Sequence, residues 1–128
     1  MSNKLNTDKT LAKFKAMKVT ILQKLSNNSV NYFQDEVFSS QGAAIGERWK
    51  TSARAKKDGG NTLQNTGKGI RSISGRIGGN TAKIAPRVKY MEYHQTGAGN
   101  NPKRQFMGNS AALLKENNSI IQKELSKL

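Results

Sequence analysis

His94 is the single imidazole of this 128-residue chain, and any acid–base or metal chemistry would have to start there. Its nearest carboxylate is Glu92. At i and i+2 the two share a face only in a strand, and two ligands do not complete a structural metal site. A lone His among aromatic residues more often hydrogen-bonds a backbone group at a packed surface. No serine stands in a G-x-S-x-G elbow, and no base–nucleophile pair is visible. Lys68 lies among glycines, yet Gly60 is too far before Gly67 for a phosphate loop, and Gly69 follows the lysine where Ser or Thr must bind magnesium. There is no cysteine, so thiol chemistry, thiolate metal sites and disulfides are excluded. No catalytic residue, metal or cofactor is expected, and an enzyme is the weakest class.

What these residue types can do is fasten a contact. Between Tyr90 and Gly108 the chain gathers Tyr90, Tyr93, His94, Gln95, Arg104 and Phe106, and Trp49 stands upstream. Tyr, Trp and Arg supply most of the energy at protein interfaces. The competing reading is that Tyr90, Tyr93 and Phe106 complete an internal core, since aromatics bury large areas wherever they sit. Gly67, Gly97 and Gly108 mark turns around these segments.

A net charge of +14 weighs on the same region. Residues 1–46 contribute +3, residues 47–104 contribute +10 and residues 105–128 contribute +1. Such a field favours polyanions or acidic protein surfaces and weakens with salt. Lys50, Arg54, Lys56 and Lys57 are the candidate polyanion contacts; the bland alternative is a solvated basic loop. With 34% hydrophobic residues and a mean hydropathy of −0.72, the core is thin for the length. Spare apolar surface reserved for neighbouring subunits would fit. Apolar runs are only a few residues long, so neither a membrane-spanning helix nor a secretory signal is expected.

The elements that must position these groups read as one α+β domain. Leu11, Phe14, Ile21, Leu22 and Leu25 recur at helical steps and predict a long N-terminal helix from about Thr7 to Leu25. Ser26-Asn27-Asn28-Ser29 predicts a break, and Val30, Phe33 and Val37 a shorter second helix within the helical part, residues 1–40. Residues 42–69 read as a basic loop region, with 50–57 expected to be disordered alone and ordered on contact with a partner. Residues 70–108 carry a small antiparallel β-sheet, with a hairpin turn at Gly78-Gly79-Asn80 and Pro86 ending the second strand. Tyr90–Gln95 predicts one or two helical turns stopped by Gly97, and Arg104–Met107 a further strand. Ser110 caps a C-terminal helix over 109–128, packed on the sheet.

In the order and spacing of its motifs the chain resembles the phage virion morphogenesis, or tail-completion, family of tailed bacteriophages and prophages. The resemblance rests on Gly46-Glu47-Arg48-Trp49, on Leu63-Gln64-Asn65-Thr66-Gly67, on Tyr90 with His94-Gln95-Thr96-Gly97, and on Pro102-Lys103-Arg104-Gln105-Phe106-Met107-Gly108. It covers roughly residues 46–114. Gly69 stands where a larger apolar residue is expected, which moves the strand start to Ile70, and Gln105 replaces a second proline. The resemblance implies a non-enzymatic virion protein of the tail or neck. It would act in tail completion or head-tail joining as a homo-oligomeric ring, in contact with other neck, connector or tail proteins and with DNA passing through a channel. It would have no membrane partner and would assemble in the host bacterial cytoplasm. The alternative from a different class is a small basic nucleic-acid-binding protein. Against it, aromatics are not interleaved with the basic cluster as base stacking requires.

Overall fold

The structure is a computed structural model that describes residues 7–60, 62, 67–97 and 102–127. Helix α1 runs Thr7–Asn31 and passes without interruption into a π-helical segment, Tyr32–Val37. Helices α2 (Ala53–Asp58) and α3 (Lys68–Arg71) follow, then strands β1 (Ile73–Gly78) and β2 (Thr81–Pro86), helix α4 (Tyr90–Thr96) and helix α5 (Ala111–Leu125). The mixed α+β class is as expected: a long N-terminal helix, a two-stranded antiparallel sheet in the middle and a C-terminal helix.

The expected break at Ser26–Ser29 does not occur, because each polar residue there has a tertiary role that outweighs propensity. Ser26 is buried against β1, so close that a Cβ on Gly75 would overlap its hydroxyl. Asn28 donates to Asn117 of α5 at 3.0 Å. The second helix is likewise no separate element. Tyr32, Phe33, Val37 and Phe38 are all buried, and the two pairs repeat at five residues. An α-helix would rotate the second pair well away from the first; the wider π turn brings both onto one side. These four side chains meet Trp49, Ile73, Met91, Phe106 and Leu113 in the core.

The hairpin pairs Ile73 with Pro86, Gly75 with Ile84 and Ile77 with Ala82 on its inner face. That face rests on α1, and the Gln34 amide of the π segment donates to the Ile73 carbonyl at 2.9 Å. Ile70 belongs to α3, so the strand starts at Ile73 and not earlier. Pro86 is the last strand residue, as expected.

Helix α5 begins with Ser110 accepting from the Leu113 N–H, the expected cap. Its principal neighbour is α1, which also carries the sheet, a correction to the expected seat on the sheet. The seat is fixed by Glu124, whose buried carboxylate accepts from Lys24 of α1 and, at 3.1 Å, from Lys127. With Asn28 meeting Asn117 and Lys24 meeting Glu124, the two helices run antiparallel.

Candidate functional site

Three of the segments singled out in the sequence converge on one place. Helix α4 ends at Gly97, whose φ of 74° lets its N–H turn back to the Tyr93 carbonyl at 2.8 Å. The chain then returns alongside, and the Arg104 N–H donates to the His94 carbonyl at 2.7 Å. Gln95 completes the closure with a single side-chain amide. Its Oε1 accepts from the N–H groups of Phe106 and Met107 at 3.0 and 3.1 Å, and its Nε2 donates to the Met107 carbonyl at 2.7 Å. The third segment joins from the other side. The Trp49 indole donates to the Gln105 carbonyl at 2.8 Å, and Arg104 Nε donates to the Lys50 carbonyl at 2.9 Å. The N–H groups of Phe106 and Met107 are satisfied here by a side chain and that of Arg104 by a helix carbonyl, so Arg104–Met107 is irregular chain and not the expected strand.

This clasp sorts the candidate contact residues into two groups. Trp49, Arg104 and Phe106 are buried and hold the fold, which corrects their assignment to a subunit or partner surface. Phe106 lies against Phe38 at 6.0 Å between ring centroids, and Trp49 meets the same Phe38 edge-to-face at 5.2 Å. Tyr90 and Tyr93 are different: they are 45% and 43% exposed at i and i+3 on α4. His94 and Gln95 are half-buried between these groups. The Tyr90 ring stands edge-on to His94 at 6.5 Å. His94 Nδ1 is buried with no hydrogen-bond partner, and burial, reinforced by the Arg104 guanidinium, lowers the imidazole pKa below its ordinary value.

Residues 50–57 are not an unstructured loop. Ser52 accepts from the Ala55 N–H, Gly59 closes the C-terminus with φ of 73°, and the side chain of Ala55 is buried, so 53–58 form a capped helix. Lys50, Lys56 and Lys57 are exposed and Arg54 is half-buried. Gly67 is positive in φ ahead of α3, as a turn requires, whereas Gly108 is a point of close approach where a Cβ would meet the Gln105 amide at 2.5 Å. The Leu63–Thr66 part of the resemblance lies outside the described residues.

Two contributors escaped the sequence reading. Gln41 reaches both ways, its Nε2 donating to the Phe38 carbonyl and its Oε1 accepting from the Thr62 N–H, while its own carbonyl accepts from the Trp49 N–H at 2.6 Å. Met91 fills the space under α3, where a Cβ on Gly69 would meet its sulfur at 2.5 Å. Only the Gln41-Gly42 turn pair and the helical offset of Met91 from Tyr90 hinted at either.

Among the described residues no three metal-ligating side chains gather in one place, and no helix is long and apolar enough to cross a membrane. The strongest open feature is elsewhere. On α1, Lys18 donates to Asn80 at the hairpin turn, and Lys13, Ala16, Met17 and Thr20 line a cleft together with Glu124 and Lys127. Leu11 and Phe14, on the stripe that continues into half-buried Leu22 and Leu25, are 53% and 49% exposed in the first turns of α1. Compared with known proteins, the chain matches no family model, no curated protein and no solved structure.

Proposed function

We propose that this chain is a structural virion protein of a tailed bacteriophage or prophage. In this reading it acts without catalysis, completing the tail or joining it to the head as a ring of identical subunits. The half-exposed apolar stripe at the start of α1 carries the proposal. An amphipathic helix gains little from its apolar stripe until something covers it, and here the first half of the stripe is left about half exposed at Leu11 and Phe14. A second copy is the occupant at hand. One protruding patch meeting a different patch on the next subunit is the heterologous contact that closes rings. Leu114 of α5, 62% exposed, and Tyr90 and Tyr93 of α4 offer receiving surface.

The virion role draws its support from the motif pattern. Gly46–Trp49, Tyr90–Gly97 and Pro102–Gly108 are separated in sequence, yet Trp49, Gln95 and Arg104 tie them into one clasp. A pattern that folds into one unit carries more weight than the same residues scattered. Light scattering and negative-stain imaging of the purified protein, alone and mixed with phage tail tubes, test the reading. Rings or capped tubes are expected, and a monomer indifferent to tubes overturns it.

A further inference from the structure

The outer face of the hairpin presents a charge arrangement that the fold itself does not need. In the β1–β2 register Arg76 lies directly opposite Lys83, both exposed. Arg87 joins them, its Nε donating to the hydroxyl of Ser74, which shares the face with Arg76. From 67 to 91 the chain carries Lys68, Arg71, Arg76, Lys83, Arg87 and Lys89 and no carboxylate at all. None of Arg76, Lys83 and Arg87 has an ion-pair partner among the described residues; the carboxylate of Glu124 is taken by Lys24 and Lys127. Like charges directly opposed across a ladder destabilise it. An external polyanion would relieve that repulsion.

The rest of the face selects the kind of partner. Ser74, Gly78, Thr81 and Ala85 complete it, small or polar and without an aromatic or large aliphatic side chain. An acidic protein would need anchors of that kind, a membrane surface would need apolar residues to insert, and single-stranded nucleic acid would need stacking rings. A small, polar, cationic ribbon suits a phosphate backbone, and a two-stranded ribbon is narrow enough to follow a duplex groove. We infer that the outer face of the hairpin, through Arg76, Lys83 and Arg87, binds the phosphate backbone of double-stranded DNA without regard to sequence. The inference stands apart from the ring reading, because binding is measured on the chain itself and assembly by scattering.

Fluorescence anisotropy with a random-sequence DNA duplex, from low to physiological salt, provides the test. The double variant R76T/K83T should bind roughly tenfold more weakly at low salt and flatten the log–log salt slope by about 2, one for each lost phosphate contact. Its melting temperature should be unchanged or raised, since a repulsive pair is gone. Should it fail to melt cooperatively, the single variant R76Q carries the same test, with a slope change of about 1. The control K115Q/K123Q removes the same charge from α5 and should bind within twofold of the parent. Equal losses in both double variants would mean net charge alone acts, and the assignment fails. It fails as well if the duplex is not bound, or if anionic phospholipid vesicles or polyglutamate are bound in its place.

Discussion

Gln95 pairs with Met107 as though it were a neighbouring strand. Its side-chain Nε2 donates to the Met107 carbonyl at 2.7 Å while its Oε1 accepts from the Met107 N–H at 3.1 Å. The same oxygen also takes the Phe106 N–H. One residue of α4 thus does the work of a ladder for a segment that has no sheet beside it. Phe106 is thereby held where its ring is fully buried.

Replacing Gln95 tests how much of the fold hangs on that amide. In Gln95→Ala the N–H groups of Phe106 and Met107 lose their acceptor in a half-buried site. The Met107 carbonyl keeps a donor in Gln105 Nε2, at 2.9 Å. Two orphaned donors at about 1–3 kcal/mol each set a loss of about 2–6 kcal/mol. Urea denaturation reads this directly, and a loss below about 1 kcal/mol would show that the clasp is held by packing instead.

The seat of Trp49 is tested from the opposite side, through glycine. Gly42 has φ of 89°, and a Cβ there would lie 2.3 Å from the indole nitrogen. Gly42→Ala is expected to cost more than about 1 kcal/mol from backbone conformation alone and to push the indole outward, with a red-shifted tryptophan emission. Gly46→Ala, where a Cβ meets nothing within 4 Å, should change stability by less than about 0.5 kcal/mol and leave the emission in place. Similar spectra for the two variants would remove the steric account.

How far the sequence reveals this arrangement depends on how local each cause is. Helix α4 with Gly97 and helix α5 with Ser110 are legible because their stop and start signals lie within a few residues of the elements they bound. Helix α2 carried its signals too, with Ser52 three residues before Ala55 and Gly59 behind it. The scarcity of apolar residues there masked them. The continuity of α1 was not legible, since Ser26 and Asn28 are justified only by Gly75 and Asn117, each some ninety or fewer residues away in sequence and adjacent in space. Nor was the clasp: aromatic and arginine residues at Trp49, Arg104 and Phe106 look alike whether they face a partner or their own core. Burial decides between the two, and burial is set by the whole fold.

Acid should loosen the α1–α5 contact in a defined window. The Glu124 carboxylate is held below its ordinary pKa first by the hydrogen bond from Lys24 and then by that from Lys127. A lowered carboxylate pKa means the folded state favours the charged form. The stabilisation is therefore complete above the unfolded value near 4.5 and disappears as pH falls through the folded value. Thermal melts of the parent and Glu124→Gln should differ at pH 6 and converge as pH falls from 4.5 through the lower folded value. Parallel curves across that range would show that the carboxylate charge does not secure the helix pair.

His94 should titrate in the same sense but at higher pH. Burial first, and the nearby Arg104 second, lower its pKa from the ordinary 6.5. A proton on buried Nδ1 would be a charged donor with no acceptor, so the site accommodates the neutral ring protonated on Nε2. Because the unfolded chain takes up the proton more readily, the contribution is present above pH 6.5 and is lost as pH falls through the folded value. The imidazole resonances in an NMR titration should show a midpoint below 6.5, and a midpoint at or above that value would place the ring in solvent.

The half-exposed start of α1 gives the sharpest test of assembly. Leu11 and Phe14 are about half exposed and outside the buried core, so Leu11→Gln and Phe14→Gln together should leave the melting temperature of an isolated subunit within about two degrees, as for surface substitutions away from the core. If a second copy covers this stripe, the pair loses about 1.5–3 kcal/mol of burial per side chain at each contact. Over several contacts in a ring that suffices to leave monomers at micromolar concentration. Scattering of the variant should then report a single-subunit mass under conditions where the parent forms larger particles. A variant that assembles as the parent does would move the subunit contact to Tyr90, Tyr93 and Leu114, and alanine replacements there become the decisive experiment.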